Sequence, residues 1–433
     1  MTPAAMGLAS VGVLFGLLFV RVPVWLALAM IGIGGNIVLS NVSVAQFMAG
    51  SIAFDMSSKY GLSVIPMFIL MGEIATRSQL SATLFSSARV VLSGLRGALS
   101  VATIAASGAF GAISGSSVAT AATMTRISLP EMRKAHYDDG FSAASVAAGG
   151  TLGILIPPSI ILIIYGAIAE ISVPRLFAAS LLPGLVLLTL YIAVALVIAN
   201  VKAGMVPTEA GATLGDRIKA ILKPWQFVLL FVVTIGGIYG GIFSPNEAAG
   251  IGCFGAMVLG FLDRRLSIAG LLDALRSTAV TTAVLFMIVI GATMFANFVV
   301  QTRLPNLLIS TTEAMDLTPL TVMTIIICLY IVLGCFLEGI GMVLITVPVF
   351  LPVITDYGYD PLWFGIIVVV VVELSLITPP VGMNIFIIQA QAPDVRLGQL
   401  YRGIVPFLIA PVFLIVLLFT FPQIALWLPN LLY

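Results

Sequence analysis

Two stretches of this chain combine a proline doublet with small and hydroxyl-bearing residues inside otherwise apolar runs. The first reads Gly149-Gly150-Thr151-Leu152-Gly153-Ile154-Leu155-Ile156-Pro157-Pro158-Ser159, the second Glu373-Leu374-Ser375-Leu376-Ile377-Thr378-Pro379-Pro380-Val381-Gly382. Two successive prolines remove two backbone donors and free the carbonyls about four residues earlier. The freed oxygens fall near Gly153 and Ser375, and Thr151, Ser159 and Thr378 add hydroxyls. An all-oxygen donor set in a dry setting suits a hard cation such as sodium. The alternative is a proline kink satisfied by neighbouring hydroxyls and water.

Two clusters of small residues could face these breaks. Gly111-Ala112-Ile113-Ser114-Gly115-Ser116-Ser117 interrupts one apolar run, and Glu338-Gly339-Ile340-Gly341 another. Unwound carbonyls at such a tip can coordinate a cation. Free N–H groups at the start of the half-helix that follows can receive a carboxylate. Ser116, Ser117, Glu338 and Gly339 are therefore candidate substrate contacts. Close packing of small residues between helices is the other reading.

Glu73, Arg126, Glu247, Glu338 and Glu373 are the charges inside apolar runs. A charge at membrane depth is costly and by default a functional candidate. Glu338 and Glu373 could balance a cation or carry a proton, or serve as a helix cap or hydrogen-bond partner. Arg126 has the fork that holds a carboxylate, or it snorkels toward the polar flank. Glu247 follows Ser244-Pro245-Asn246 and reads as a first-turn helix residue. The single histidine, His136, reads as a solvated loop residue.

The elements that hold these groups must lie in a membrane. Of 433 residues, 60% are hydrophobic and 9% charged, and the mean hydropathy is +1.19. Soluble domains carry roughly 25% charged residues, so a soluble enzyme and a disordered tail are excluded. A net charge of +1 leaves no field for nucleic acid. Cys253, Cys328 and Cys335 lie in apolar runs and build neither a disulfide framework nor a zinc site. A Gly-x-Ser-x-Gly elbow and a His/Asp/Glu cluster are both missing, which argues against an intramembrane enzyme. No cleavable signal peptide is expected. Spanning takes about 20 apolar residues, and the runs suggest ten or more crossings. Leu181–Ala199, Pro224–Gly241, Ala279–Val300 and Pro406–Leu418 read as plain spans; the four interrupted runs require a cavity, because irregular backbone at that depth must be buried or line one.

The interruptions recur. Displaced by 222, Leu129-Pro130 falls on Leu351-Pro352 and Pro157-Pro158 on Pro379-Pro380. This is an internal duplication. Arg89, Arg96, Arg133 and Lys134 flank the first interrupted pair, whereas Asp356 to Pro361 carries acids and no base. Positive charge marks the cytoplasmic side, so the two repeats are expected to be inverted, with Lys202, Arg217, Lys219 and Lys223 placing the central linker in the cytoplasm. The expected division is 1–200, linker 201–223, and 224–433. Leu99–Ala112 and Val118–Pro130 are too short to span singly, so they predict a re-entrant helical hairpin. Leu320–Leu337 and Met342–Pro352 predict a second one. A kinked spanning helix is the alternative in each place. The fold class is thus an all-α polytopic membrane protein with two inverted repeats, each with a hairpin and a discontinuous helix.

Ile65-Pro66-Met67-Phe68-Ile69-Leu70-Met71-Gly72, the Ser114–Ser117 tip, Gly149–Ser159, Tyr239–Ala249 and Glu373–Gly382 resemble the large membrane subunit of the tripartite ATP-independent periplasmic (TRAP) transporters over nearly the whole chain. The resemblance implies a sodium-coupled elevator-type importer of organic acids in the bacterial inner membrane. It implies a small four-helix membrane subunit and a periplasmic substrate-binding protein as partners. Carried over position by position, it implies one sodium site around Ser114, Gly153, Ile156 and Ser159. A second lies around Gly334, Ser375, Thr378 and Val381. Ser375 stands where the family usually has Gly. Thr125-Arg126 stands where a Gly and a small residue are common, which makes Arg126 a candidate reporter of substrate preference. A stand-alone ion-coupled dicarboxylate permease is the rival within transport.

Overall fold

The computed structural model describes residues 2–433 except Ala203, Met205, 208–210 and Phe336. Among the described residues every regular element is helical. The masked positions fall in the expected linker 201–223 and in the run between Gly334 and Glu338, so those parts of both expectations lie outside the described residues.

Two helical hairpins occupy the places the sequence marks. The first consists of Ala98–Ser114 and Ser117–Lys134. Gly115 ends the first arm with a left-handed φ of 61°, and the Ser116 side chain caps the second by accepting from Ala119 N at 3.3 Å. The arms lie antiparallel: Thr103, early in one, donates to Met132 Sδ, late in the other, at 3.6 Å. The second hairpin consists of Pro319–Gly334 and Gly339–Asp356. There Thr346 donates to the Tyr330 hydroxyl at 2.5 Å, and the Tyr330 and Phe350 rings sit 6.0 Å apart. Both are hairpins rather than kinked single helices.

Each hairpin is followed by a broken helix. Asp139–Leu155 stops before Pro157-Pro158 and Ile160–Ala169 restarts after it. Pro361–Ile377 stops before Pro379-Pro380 and Met383–Gln391 restarts. Asp138 and Asp360 start the first halves as side-chain caps, accepting from Phe141 N at 2.8 Å and Leu362 N at 2.6 Å. The bounds recur at a displacement of 222: Ser117–Lys134 falls on Gly339–Asp356, and Asp139–Leu155 on Pro361–Ile377.

Five helical stretches, among the described residues, are each long and apolar enough to cross a membrane, including Val173–Val201 and Ile268–Gln301. Gly, Ser and Pro breaks divide other apolar runs into shorter helices such as Pro319–Gly334 and Pro361–Ile377. The expected polar linker contains the helix Leu214–Leu222. It is tied to the end of Leu80–Leu92, where the Arg217 guanidinium donates to the Ser93 carbonyl at 2.8 Å. At the same open end of the first hairpin, Arg133 reaches Asp139 at 2.7 Å and Asp394 at 2.6 Å. One guanidinium thereby joins the first hairpin, the first broken helix and the segment after the second.

Candidate functional site

The two hairpin tips close on one small cavity of about 50 Å³. Ser116 and Ser117 line it from the first tip and Glu338 and Gly339 from the second, with Ile154 and Leu376 contributed by the two broken helices. Four of the five substrate-contact candidates therefore meet, although more than 200 residues separate the two tips. Glycine lets the first tip sit against the first proline break: a methyl group on Gly115 would lie 2.8 Å from the Pro158 carbonyl oxygen.

The first break presents oxygen atoms to the first tip. Pro157 leaves the Gly153 carbonyl without its helical donor. Gly153 is pressed against the tip, since a methyl there would lie 2.9 Å from the Ser116 carbonyl oxygen and 2.8 Å from Thr120 Oγ1. Thr120 donates to the Ser116 carbonyl at 2.8 Å, and the Ser114 and Thr120 hydroxyls are 2.9 Å apart. Ser159 donates to the Ile154 carbonyl at 2.5 Å and caps the restarted helix through Leu162 N at 3.3 Å. It thus replaces the donor that Pro158 removes. Ile156 donates its N–H to Leu152 at 3.0 Å and turns its side chain toward Gly184. Thr151 faces elsewhere, 3.2 Å from the Tyr191 hydroxyl.

The second break repeats the theme with different details. Gly334 abuts the Ser375 side chain, so nothing larger than hydrogen fits. Ser375 donates to Val372 at 2.7 Å and its carbonyl accepts from Thr378 N at 3.2 Å. The oxygen left without a helical donor is therefore that of Leu376, opposite Pro380, rather than that of Ser375. Thr378 donates its hydroxyl to Leu374 at 2.6 Å. Tyr401 donates to Pro380 at 2.5 Å, and the Val381 carbonyl lies 3.5 Å from the same hydroxyl. Cys335, beside Gly334, reaches the Pro379 carbonyl at 3.8 Å.

Residues 11–424 match the family described as the tripartite ATP-independent periplasmic transporter, DctM component. The chain belongs to that family. It is a transporter component and not an enzyme. It is 33% identical over 378 residues to the C4-dicarboxylate TRAP transporter large permease protein DctM of Pseudomonas aeruginosa, covering 87% of this chain and 88% of that one. It is 31% identical over 420 residues to the sialic acid TRAP transporter large permease protein SiaM of Vibrio cholerae, covering 96% of each. Among solved structures, the YdaH transporter of Alcanivorax borkumensis superposes with a TM-score of 0.63 at 15% identity, covering 90% of this chain and 91% of that one; this likeness shows the fold alone.

The remaining candidates of this DctM-family chain lie away from the tip cavity. Arg126 sits outside it and lines two other cavities. Its place on the solvated side of the hairpin arm follows from the spacing of Ser117–Lys134, which turns residue 126 away from the arm's buried face. Glu373 is fully buried, and its carboxylate oxygens have no hydrogen-bond partner among the described residues. Glu73 pairs with Arg77 at 3.6 Å and accepts from Ser277 at 2.9 Å. Glu247 forms a capping box with Ser244, as its spacing implies. His136 is exposed in a turn. Asn384 was not singled out from the sequence, yet it is fully buried and accepts from Ser117 at 2.8 Å, while its Nδ2 has no partner among the described residues. Its signal was an amide directly after a break in an apolar run. Thr120 was missed too, because a hydroxyl one turn into a helix looks like an ordinary self-bonded side chain.

Proposed function

We propose that this chain is the transporting membrane subunit of a sodium-coupled importer of organic acids, fed by a periplasmic binding protein and accompanied by a small membrane subunit in the bacterial inner membrane. The observation that carries the reading is the meeting of two hairpin tips, two helix N-termini and two proline breaks around one cavity. Ser116, Ser117, Asn384 and the N–H groups opening Ser117–Lys134 would hold the acid's carboxylate. The two relatives above are named for C4-dicarboxylate and for sialic acid, both carboxylates.

Sodium is the coupled cargo in this reading. Ser114, Gly153, Ile156 and Ser159 would form one site, and Gly334, Ser375, Thr378 and Val381 the other. The hydroxyl geometry supports it. A hydroxyl that ligates a cation must aim its proton elsewhere and its lone pairs at the ion. Ser159 and Thr378 donate backward to carbonyls of their own broken helices, which leaves free the lone pairs of Thr378 and one lone pair of Ser159, whose other accepts from Leu162 N. The recurrence of element bounds at 222 supports two repeats, 1–200 and 224–433 about a linker at 201–223. The charge bias of the flanks supports their inversion. Movement of the hairpins and broken helices as one body past the plain spans would then carry the closed, neutralised site across, an elevator. Family membership favours this over the stand-alone permease.

The test is uptake into proteoliposomes holding this chain and its small subunit, with the binding protein outside and a panel of C4-dicarboxylates and sialic acid. An inward sodium gradient should drive accumulation of one of them. Full uptake on a proton gradient with sodium absent would overturn the coupling.

A further inference from the structure

Arg126 is the one cation lining the two cavities beside the first hairpin that, among the described residues, has no ion pair or hydrogen bond. One cavity, of about 640 Å³, is lined by Glu73, Arg77, Gln79, Thr123 and Arg126 among others. The other, of about 480 Å³, is lined by Arg126, Arg133, Lys134 and Asp394 among others. Every other charge in them is committed. Arg77 reaches Glu73 at 3.6 Å and Asp273 at 3.5 Å, Arg133 holds Asp139 and Asp394, and Lys134 holds Glu131 at 2.7 Å. Four positive and two negative side chains line the two cavities, and Arg126 is the unpaired one among the described residues, a planar fork with room before it.

Position gives this charge a direction. Ala119, Ala122, Thr123 and Arg126 all line the larger cavity. Their spacing of three, four and seven puts them on one face of the arm Ser117–Lys134. That face begins at the tip, where Ala119 N–H meets Ser116, and reaches Arg126 about 10 Å farther along, at 1.5 Å per residue. The larger cavity is within the size range of small-molecule sites, roughly 300–1,000 Å³. Gln79 and Thr123 add polar groups beside the guanidinium.

We infer that Arg126, with Gln79 and Thr123, is a second carboxylate-binding station, separate from the tip cavity and joined to it along one face of the hairpin arm. Its use as a stop on the acid's way out rests on the importer reading. The binding of a carboxylate there is a property of the two cavities alone. An arginine fork in a solvated pocket binds weakly and releases quickly, which suits a release path and keeps the acid from falling back toward the tip.

Phenylglyoxal, which modifies arginine, tests the station on the purified full-length chain, with Arg126 followed by mass spectrometry of its peptide and succinate as the probe. Succinate should slow the modification of Arg126 about two- to fivefold relative to sodium chloride at equal ionic strength, the scale of an exposed ion pair. Ser117→Ala, at the tip, should leave this protection intact. Arg126→Gln should slow uptake of whichever panel acid is carried, with Arg126→Lys recovering part of the rate. Equal rates in succinate and chloride would overturn the station, as would protection that disappears in Ser117→Ala, because Arg126 would then only report occupancy of the tip. If protection holds while Ser117→Ala and Glu338→Gln transport normally, the station stands and the tip reading fails.

Discussion

Thr378 shows how one side chain can close a helix and present an ion ligand together. Its hydroxyl donates to Leu374 at 2.6 Å and its N–H reaches the Ser375 carbonyl at 3.2 Å. Both bonds end the helix before Pro379-Pro380, and the oxygen lone pairs stay unused. Replacement by valine keeps the shape and removes the oxygen. A merely structural hydroxyl would cost about 0.5–1.5 kcal/mol of stability and leave sodium untouched. As a ligand, its loss should raise the sodium concentration for half-maximal uptake about tenfold, on the basis of roughly 1.4 kcal/mol per tenfold change. Thr378→Ser should restore it. A lowered melting temperature with an unmoved sodium curve would make Thr378 structural. Residue identity alone was a good guide where backbone chemistry dictates the outcome: both proline doublets end their helices. It was a poor guide where the partner is remote. Asn384 meets Ser117 across 267 positions of sequence, and local spacing holds no trace of that pairing. Thr151 and Ser159 looked equivalent in sequence, yet one turns to Tyr191 and the other back to Ile154.

At the scale of elements, the first hairpin and the first broken helix approach at their backbones. A methyl on Gly111 would lie 2.5 Å from Cα of Gly153, and one on Gly149 2.9 Å from Cβ of Ser107. The cluster Gly111 to Ser117 and the run Gly149 to Gly153 thus serve close packing, the second of the two readings held open in the sequence. Gly111→Ala should force the arm off the broken helix and cost about 1–3 kcal/mol of overpacking. Uptake should fall further than the melting temperature implies, since Gly153 is displaced with it. Gly12→Ala is the control: nothing lies within 4 Å of that position, and the helix should gain stability by up to about 1 kcal/mol. Equal behaviour of the two variants would refute the packing account. The hairpins and broken helices were legible because Gly, Ser and Pro punctuate them strongly. The division of the apolar runs into helices was not, because total apolar length does not say where they break; Ile268–Gln301 is one continuous helix, whereas the counterpart stretch in the first half is divided between Val42–Ser58 and Val64–Arg77.

For the whole molecule, the decisive property is which side of the bilayer each half faces. Bounds that recur at 222 make Lys134 and Asp356 equivalent, each ending the second arm of its hairpin and each exposed. Around Lys134 stand the bases Arg89 and Arg133, paired with Glu131 and Asp139 at 2.7 Å each. Around Asp356 stand Asp360 and no base. Positive flanks stay in the cytoplasm, so the two equivalent ends should lie on opposite faces. A parallel duplication would put both on one face, and the two tips could not then enter from opposite sides to meet at Ser117 and Gly339. The measurement uses single cysteines at 134 and 356 in a chain whose Cys253, Cys328 and Cys335 are replaced by serine, labelled with a membrane-impermeant maleimide. Cysteine 134 should label in inside-out vesicles and cysteine 356 in right-side-out vesicles. Labelling of both in the same preparation would remove the inversion, and with it the elevator, while leaving the shared cavity between the tips still to be explained by a different topology.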